Sequence, residues 1–185
     1  METWHTTDST PSERKRSPVV AAAAAVALVV IALLAYAILT GPNRPPQIGE
    51  AVPPFTLDTF DGQSMDLTAH QGDVVIVNFF ASWCVPCRQE AADLEETWQS
   101  YRDEDVQFFG IAYKDARSKA QAFLDEFGVT YPSAFDAGNR VARTYGVTGV
   151  PETFVVDQQG RLVRHILGAV TADELGNEID ALLAP

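Results

Sequence analysis

The chain has 185 residues, 46% of them apolar, and a formal net charge of −12. That length suits one globular domain plus an additional segment, and the acidity disfavours nucleic acid, whose phosphates would be repelled. The two cysteines, Cys84 and Cys87, are too few to supply the four soft ligands of a structural zinc site.

The additional segment lies at the N-terminus. Residues 1–17 are polar and are expected to form a disordered cytoplasmic tail. From Pro18 to Leu39 the sequence reads "PVVAAAAAVALVVIALLAYAIL" without one charge. It lacks the polar face of a soluble helix, and at 1.5 Å per residue such a run spans about 33 Å, enough for a bilayer core. We therefore expect a transmembrane helix over 18–40. Arg14, Lys15 and Arg16 precede it and only Arg44 follows closely, so the rest of the chain is expected outside the cytoplasmic membrane. "AYA" at Ala35–Ala37 offers a signal-peptidase site as an alternative, but the apolar run is long for a signal peptide, which favours a retained anchor. Acids and bases balance over residues 1–40, so the whole negative charge falls on the remainder.

Residues 41–52 read as a proline-rich linker that cannot join a helix or sheet. A domain then runs over 53–185. "FTLDTFDGQSMDL" (55–67) suggests two short strands around an Asp61-Gly62 turn. "VVIVNFFA" (74–81) is a strand buried on both faces. A helix follows from about Cys84 to Tyr101, with Leu94, Trp98 and Tyr101 on one side. "VQFFGIAY" (106–113) is a second buried strand. A helix over 118–128 is expected to open on Ser118 as N-cap and close on Gly128. A short helix ends at Gly146. Residues 152–168 form a hairpin turning at Asp157–Gly160, and 171–183 form a capped final helix. The pattern is an α/β sandwich with mixed strand direction.

The chemistry centres on "ASWCVPCRQE" (81–90). A structural disulfide over so short a loop would stabilise weakly, because it removes little chain entropy. A redox dithiol fits the strand-to-helix position better. Cys84 near a helix N-terminus is favoured as thiolate, and Cys87 lies one turn deeper on the same face. Cys84 can attack an external disulfide and Cys87 can resolve the mixed disulfide. Pro86 is tolerated in the first turn. Trp83 is expected to pack beside the pair, limiting solvent or filling the core.

"VVIVNFFASWCVPCRQE" resembles the active-site strand and helix of the thioredoxin superfamily, and "YGVTGVPETFVVDQQGRLV" resembles the segment carrying its cis-proline. With the anchor and linker, the chain resembles the membrane-anchored TlpA, ResA and CcmG (DsbE) group over about 47–183. The resemblance implies a thioredoxin fold with a mixed central sheet, flanking helices and an N-terminal β-hairpin extension. It implies a protein-disulfide reductase in which Cys84 attacks, Cys87 resolves and Pro151 faces the dithiol. Val150 would then offer backbone hydrogen bonds to an extended substrate segment. Glu152 matches the "GxPE" pattern of CcmG-like members.

Glu90 lies one helical turn after Cys87 and matches an acid typical of the group; near the pair it could exchange a proton with the resolving thiol. Glu152, an acid opening an apolar strand, is a second candidate for such a role. Two positions depart from the pattern. Asn78 stands where thioredoxin has a buried Asp, and Thr148 where CcmG-like members often carry an aromatic residue. The implied partners are a protein disulfide and a membrane-side electron donor. The disulfide is the haem-site pair of an apocytochrome c or, for TlpA-like members, a thiol pair in copper-site assembly. No metal or cofactor is expected. A thiol peroxidase, a copper-binding chaperone using His165, and a non-catalytic scaffold are the rival readings; His165 itself is expected to be an exposed strand residue, and His70 isolated.

Overall fold

The computed structural model describes residues 18–40 and 44–184. The expected tail over 1–17 lies outside the described residues. The chain divides into two units, one ending at Pro42 and one beginning at Asn43.

In the first unit, helix α1 runs over Pro18–Thr40. Side chains are described only for Val19 and 22–36 of it, and all of these are exposed. Among the described residues no helix is long and apolar enough to cross a membrane.

The second unit opens with the segment read as a linker, and its described part, 44–52, is docked rather than loose. Pro45 and Pro46 have no N–H to give, but Gly49 N–H donates to the Leu162 carbonyl (2.7 Å) and Val52 N–H to the Gly160 carbonyl (3.0 Å). Leu162 N–H returns a bond to the Glu50 carbonyl (2.9 Å), and Ala51 bridges Arg161. The proline argument fails here because the residues between the prolines supply the pairing. Gly146 accommodates the segment: it has φ 72°, and a Cβ there would lie 2.4 Å from Pro45 Cγ.

Strands β1 (Thr56–Asp58) and β2 (Ser64–Asp66) form the expected hairpin. A single 3₁₀ turn, Leu67–His70, leads to β3 (Val74–Phe80), and α2 follows over Val85–Tyr101. Then come β4 (Val106–Ala112), α3 (Arg117–Phe127), β5 (Ser133–Phe135), α4 (Arg140–Tyr145), β6 (Glu152–Val156), β7 (Leu162–Leu167) and α5 (Ala172–Leu183). The five-stranded sheet has the order β5-β4-β3-β6-β7. Strand β4 runs parallel to β3 and β5, and β6 runs antiparallel to β3 and β7, so direction is mixed as expected.

Helix α3 does not open on Ser118. It starts one residue earlier, after Ala116, with no side-chain cap. The polar group that could have capped it, Asp115, is turned back to accept from Ser82 N–H and Oγ. Gly128 closes the helix in the left-handed region, φ 64°.

Alternation along β3 sorts the core into two layers. Val75, Val77 and Phe79 face the β1–β2 hairpin and α4, packing with Phe55, Leu57, Met65 and Tyr145. Val74 and Ile76 face the other way, with Leu94 of α2 and Leu175 and Ile179 of α5. Asn78 belongs to this second set, and that places a polar side chain beneath α2. Around the end of β3, Phe80 packs with both cysteines and with Phe123 and Leu124 of α3.

Candidate active site

The site forms where β3 ends. Cys84 is the N-cap of α2, and its Sγ accepts from the Cys87 N–H at 3.1 Å. The helix end thus points an otherwise unpaired N–H at this sulfur, the arrangement that favours a thiolate. Cys84 and Cys87 are joined as a disulfide with Cα atoms 5.3 Å apart. Both are buried.

The loop before β6 closes over the pair. The Val150–Pro151 peptide is cis, and the Val150 carbonyl oxygen lies 3.4 Å from Cys84 Sγ. Val150 and Pro151 are thus brought together with the attacking position, as the resemblance implied.

Trp83 is not a core aromatic. It is 57% exposed, and its indole Nε1 donates to the Lys114 carbonyl at 3.1 Å. That bond and the Ser82–Asp115 pair brace the cysteine loop against the β4–α3 connection. Neither Lys114 nor Asp115 was picked out by the sequence, since their role depends on a contact about thirty residues away in the chain. Val85 and Leu167 are also strongly exposed, at 65% and 71%. Trp83 and Val85 flank Cys84, while Leu167 pairs in register with Glu152, next to Pro151.

Glu90 is 1% exposed. Its Oε1 accepts from Asn78 Nδ2 (2.9 Å) and its Oε2 from the Val170 N–H (3.0 Å). Asn78 Nδ2 also donates to Thr153 Oγ1 (3.0 Å). Burial pushes the Glu90 carboxyl up to about 7, against the two hydrogen bonds that hold it down; Asp93 adds a further upward push. An acid poised near neutrality, one turn below the resolving cysteine, is equipped to take or give a proton. Thr153 stands opposite Asn78 in the β3–β6 pairing, a long-range register that the sequence does not show. Val170 carries no signal either, because only its backbone takes part.

Glu152 is placed differently from Glu90. It pairs with Phe79, and so belongs to the sheet face opposite the one Asn78 and Glu90 share. Its Oε1 accepts from the N–H groups of Thr148 (2.9 Å) and Gly149 (3.0 Å), and its Oε2 meets His165 Nε2 at 2.8 Å. The two backbone N–H groups donate, and an ionised carboxylate can only accept, so with Glu152 ionised His165 Nε2 carries the proton and the side chain is engaged in holding the 148–150 loop. His165 is exposed, as expected, but its ring is stacked on Phe154 with centroids 4.1 Å apart. Its Nε2 is engaged by Glu152. His70 also has a partner, Asp73, at 2.9 Å. Among the described residues there is no group of three or more His, Cys, Asp or Glu placed to hold a metal ion.

The model of the AhpC/TSA family matches residues 48–165. The chain belongs to that family. Within it, the chain is 37% identical over 148 residues to the thiol:disulfide interchange protein HelX of Rhodobacter capsulatus, covering 77% of this chain and 82% of HelX. It is 30% identical over 129 residues to the thiol-disulfide oxidoreductase ResA of Bacillus thuringiensis, covering 70% and 75%. A crystal structure from Chlorobium tepidum, assigned as a thiol:disulfide interchange protein DsbE, superposes with a TM-score of 0.70 at 30% identity, covering 75% of this chain and 99% of that one. The AhpC/TSA chain described here is accordingly a thioredoxin-like thiol-disulfide oxidoreductase of the TlpA/ResA/CcmG group.

Proposed function

We propose that this oxidoreductase is a membrane-tethered reductant of protein disulfides outside the cytoplasmic membrane. The observation that carries the reading is the placement of Cys84 Sγ at the start of α2, 3.4 Å from the Val150 carbonyl. A sulfur beside a half-buried loop residue, preceded by the exposed Thr148 and Gly149, suits a partner that arrives as an extended chain and pairs with Val150. Trp83, Val85 and Leu167 supply apolar contact around it. The uncharged run over 18–39 and the basic residues before it support the tether and its orientation.

In the working direction the Cys84 thiolate attacks one sulfur of the substrate disulfide. A Cys84–substrate bond forms, and the first substrate sulfur leaves as thiolate and takes a proton. Cys87 then gives its proton to the Glu90 carboxylate and attacks Cys84 Sγ. The second substrate thiolate departs, and the Cys84–Cys87 disulfide remains. Two electrons have moved to the substrate. A dithiol donor on the membrane side must return them. Of the substrates open to the group, the haem-site cysteine pair of an apocytochrome c is favoured, by the resemblance to CcmG-like and ResA-like members.

The test is trapping. Cys87→Ser should arrest a mixed disulfide between Cys84 and the physiological partner, identifiable by mass spectrometry. Equilibration of the pair with glutathione checks direction: a potential as oxidising as that of DsbA, about −120 mV, would overturn the reductant reading.

A further inference from the structure

We propose that His165 is a positioning residue for the substrate-docking loop, acting through Glu152. The inference rests on the reading of Val150 as backbone that meets substrate. The 148–150 loop has no regular partner strand, yet its Val150 carbonyl must keep its place beside Cys84 Sγ, now 3.4 Å away. What holds the loop is the Glu152 side chain, whose Oε1 takes two successive loop N–H groups, those of Thr148 and Gly149.

That carboxylate needs its own support. Glu152 is 3% exposed, and a buried charge with an unpaired oxygen is costly. His165 Nε2, 2.8 Å from Oε2, is the side-chain donor on that second oxygen. Strand pairing explains how it gets there. Phe154 opposes His165 and Leu167 opposes Glu152, so all four share one face of the β6–β7 pair and the imidazole reaches Glu152 diagonally. Flat stacking on Phe154, 15° between planes, fixes the ring so that Nε2 points along the strand toward the carboxylate. The chain of contacts therefore runs from His165 to Glu152, to the amides of Thr148 and Gly149, and on to Val150 and the attacking sulfur. His165 touches neither cysteine in this scheme. It sets the docking backbone and leaves the sulfur chemistry to α2.

Two substitutions separate the hydrogen bond from the ring. His165→Phe keeps an aromatic surface on Phe154 and removes the donor; His165→Gln keeps an N–H donor and removes the ring. In the full chain, reduction of insulin should show a KM raised about fivefold in His165→Phe, the equivalent of one ordinary hydrogen bond, with kcat little changed. Reduction of 5,5′-dithiobis(2-nitrobenzoate), which has no peptide to dock, should be unchanged. Amide hydrogen exchange at Thr148 and Gly149 should be faster in His165→Phe, and His165→Gln should restore both readouts. Unchanged insulin kinetics and exchange in His165→Phe would overturn the proposal. An equal loss on both disulfides would also overturn it, since that places the effect on the thiols or the fold. Failure of the unsubstituted protein to reduce insulin would count against the reductant reading, and the exchange measurement would still decide the role of His165.

Discussion

Asn78 donates to Glu90 across 2.9 Å, while the oxygen of the same amide meets no partner among the described residues. A buried side chain that spends both its N–H groups, on Glu90 and on Thr153, and leaves its acceptor empty is held there for what it donates. Asn78 stands where thioredoxin has an acid, and it presents a donor to the acid that α2 supplies instead.

Glu90 makes stability depend on pH in a definite direction. Its carboxyl lies at about 7 in the folded protein against an ordinary 4.5, so the folded chain binds more protons between those values. The stability it contributes is full below about 4.5 and is lost as pH rises through about 7. At about 1.4 kcal/mol per unit, the oxidised protein should lose roughly 3 kcal/mol across that window. Urea denaturation at pH 5 and pH 8 measures it, and Glu90→Gln should flatten the dependence and be the more stable form at pH 8. Equal dependence in both proteins would contradict this.

Replacing Asn78 by Leu removes the donor without opening a large void. One bond that stabilises the ionised acid is then gone, and the Glu90 carboxyl should titrate about one unit higher, as befits a hydrogen bond to a charged group. Carbon-13 titration of the carboxyl reports this directly. A value lowered or unchanged would mean that the amide does not hold the acid down.

Trp83 tests the exposed apolar rim. Because the indole is largely in solvent, Trp83→Ala should shift the thermal midpoint only slightly, by the one bond to Lys114. Reduction of insulin should nevertheless slow several-fold, since the contact surface beside Cys84 is lost. A large fall in stability with unchanged reduction would reverse the assignment.

Gly146→Ala meets two obstacles at once, a φ of 72° and the ring of Pro45. A cost of about 2–3 kcal/mol follows from the backbone conformation and the overpacking together. Pairing it with Pro45→Gly, which removes both the Cγ and the Cβ that crowd position 146, should recover the packing share, and equilibrium denaturation of both proteins checks it.

Most of the fold was legible because its strands are long, apolar and bounded by clear turns. The 74–81 run is uniformly buried, the Asp157–Gly160 turn reads plainly, and Gly128 and Gly146 end their helices as such glycines do. Strand β5 escaped notice because it has only three residues, Ser133–Phe135, and follows a proline. Its pairing comes from β4 rather than from any pattern of its own. The cysteines and Glu90 could be placed from spacing along one helix. The environment of Glu152 could not: its partners come from a loop and from the next strand, and whether a carboxylate faces α2 or α4 depends on the register of β6 against β3. The core place allowed for Trp83 failed for a related reason, since the side chain beside this buried cysteine is largely exposed and bonds to Lys114.

The segment read as a connector covers part of the sheet's outer edge. Residues 49–52 occupy the start of β7, and the far end of the β1–β2 hairpin pairs with β5 through Thr59 and Phe60. The chain thus covers the start of β7 and part of β5, the two outer strands of its own sheet. Exposed sheet margins invite like to pair with like. The cover shortens the edge open to a second copy, which favours leaving each dithiol to a different partner.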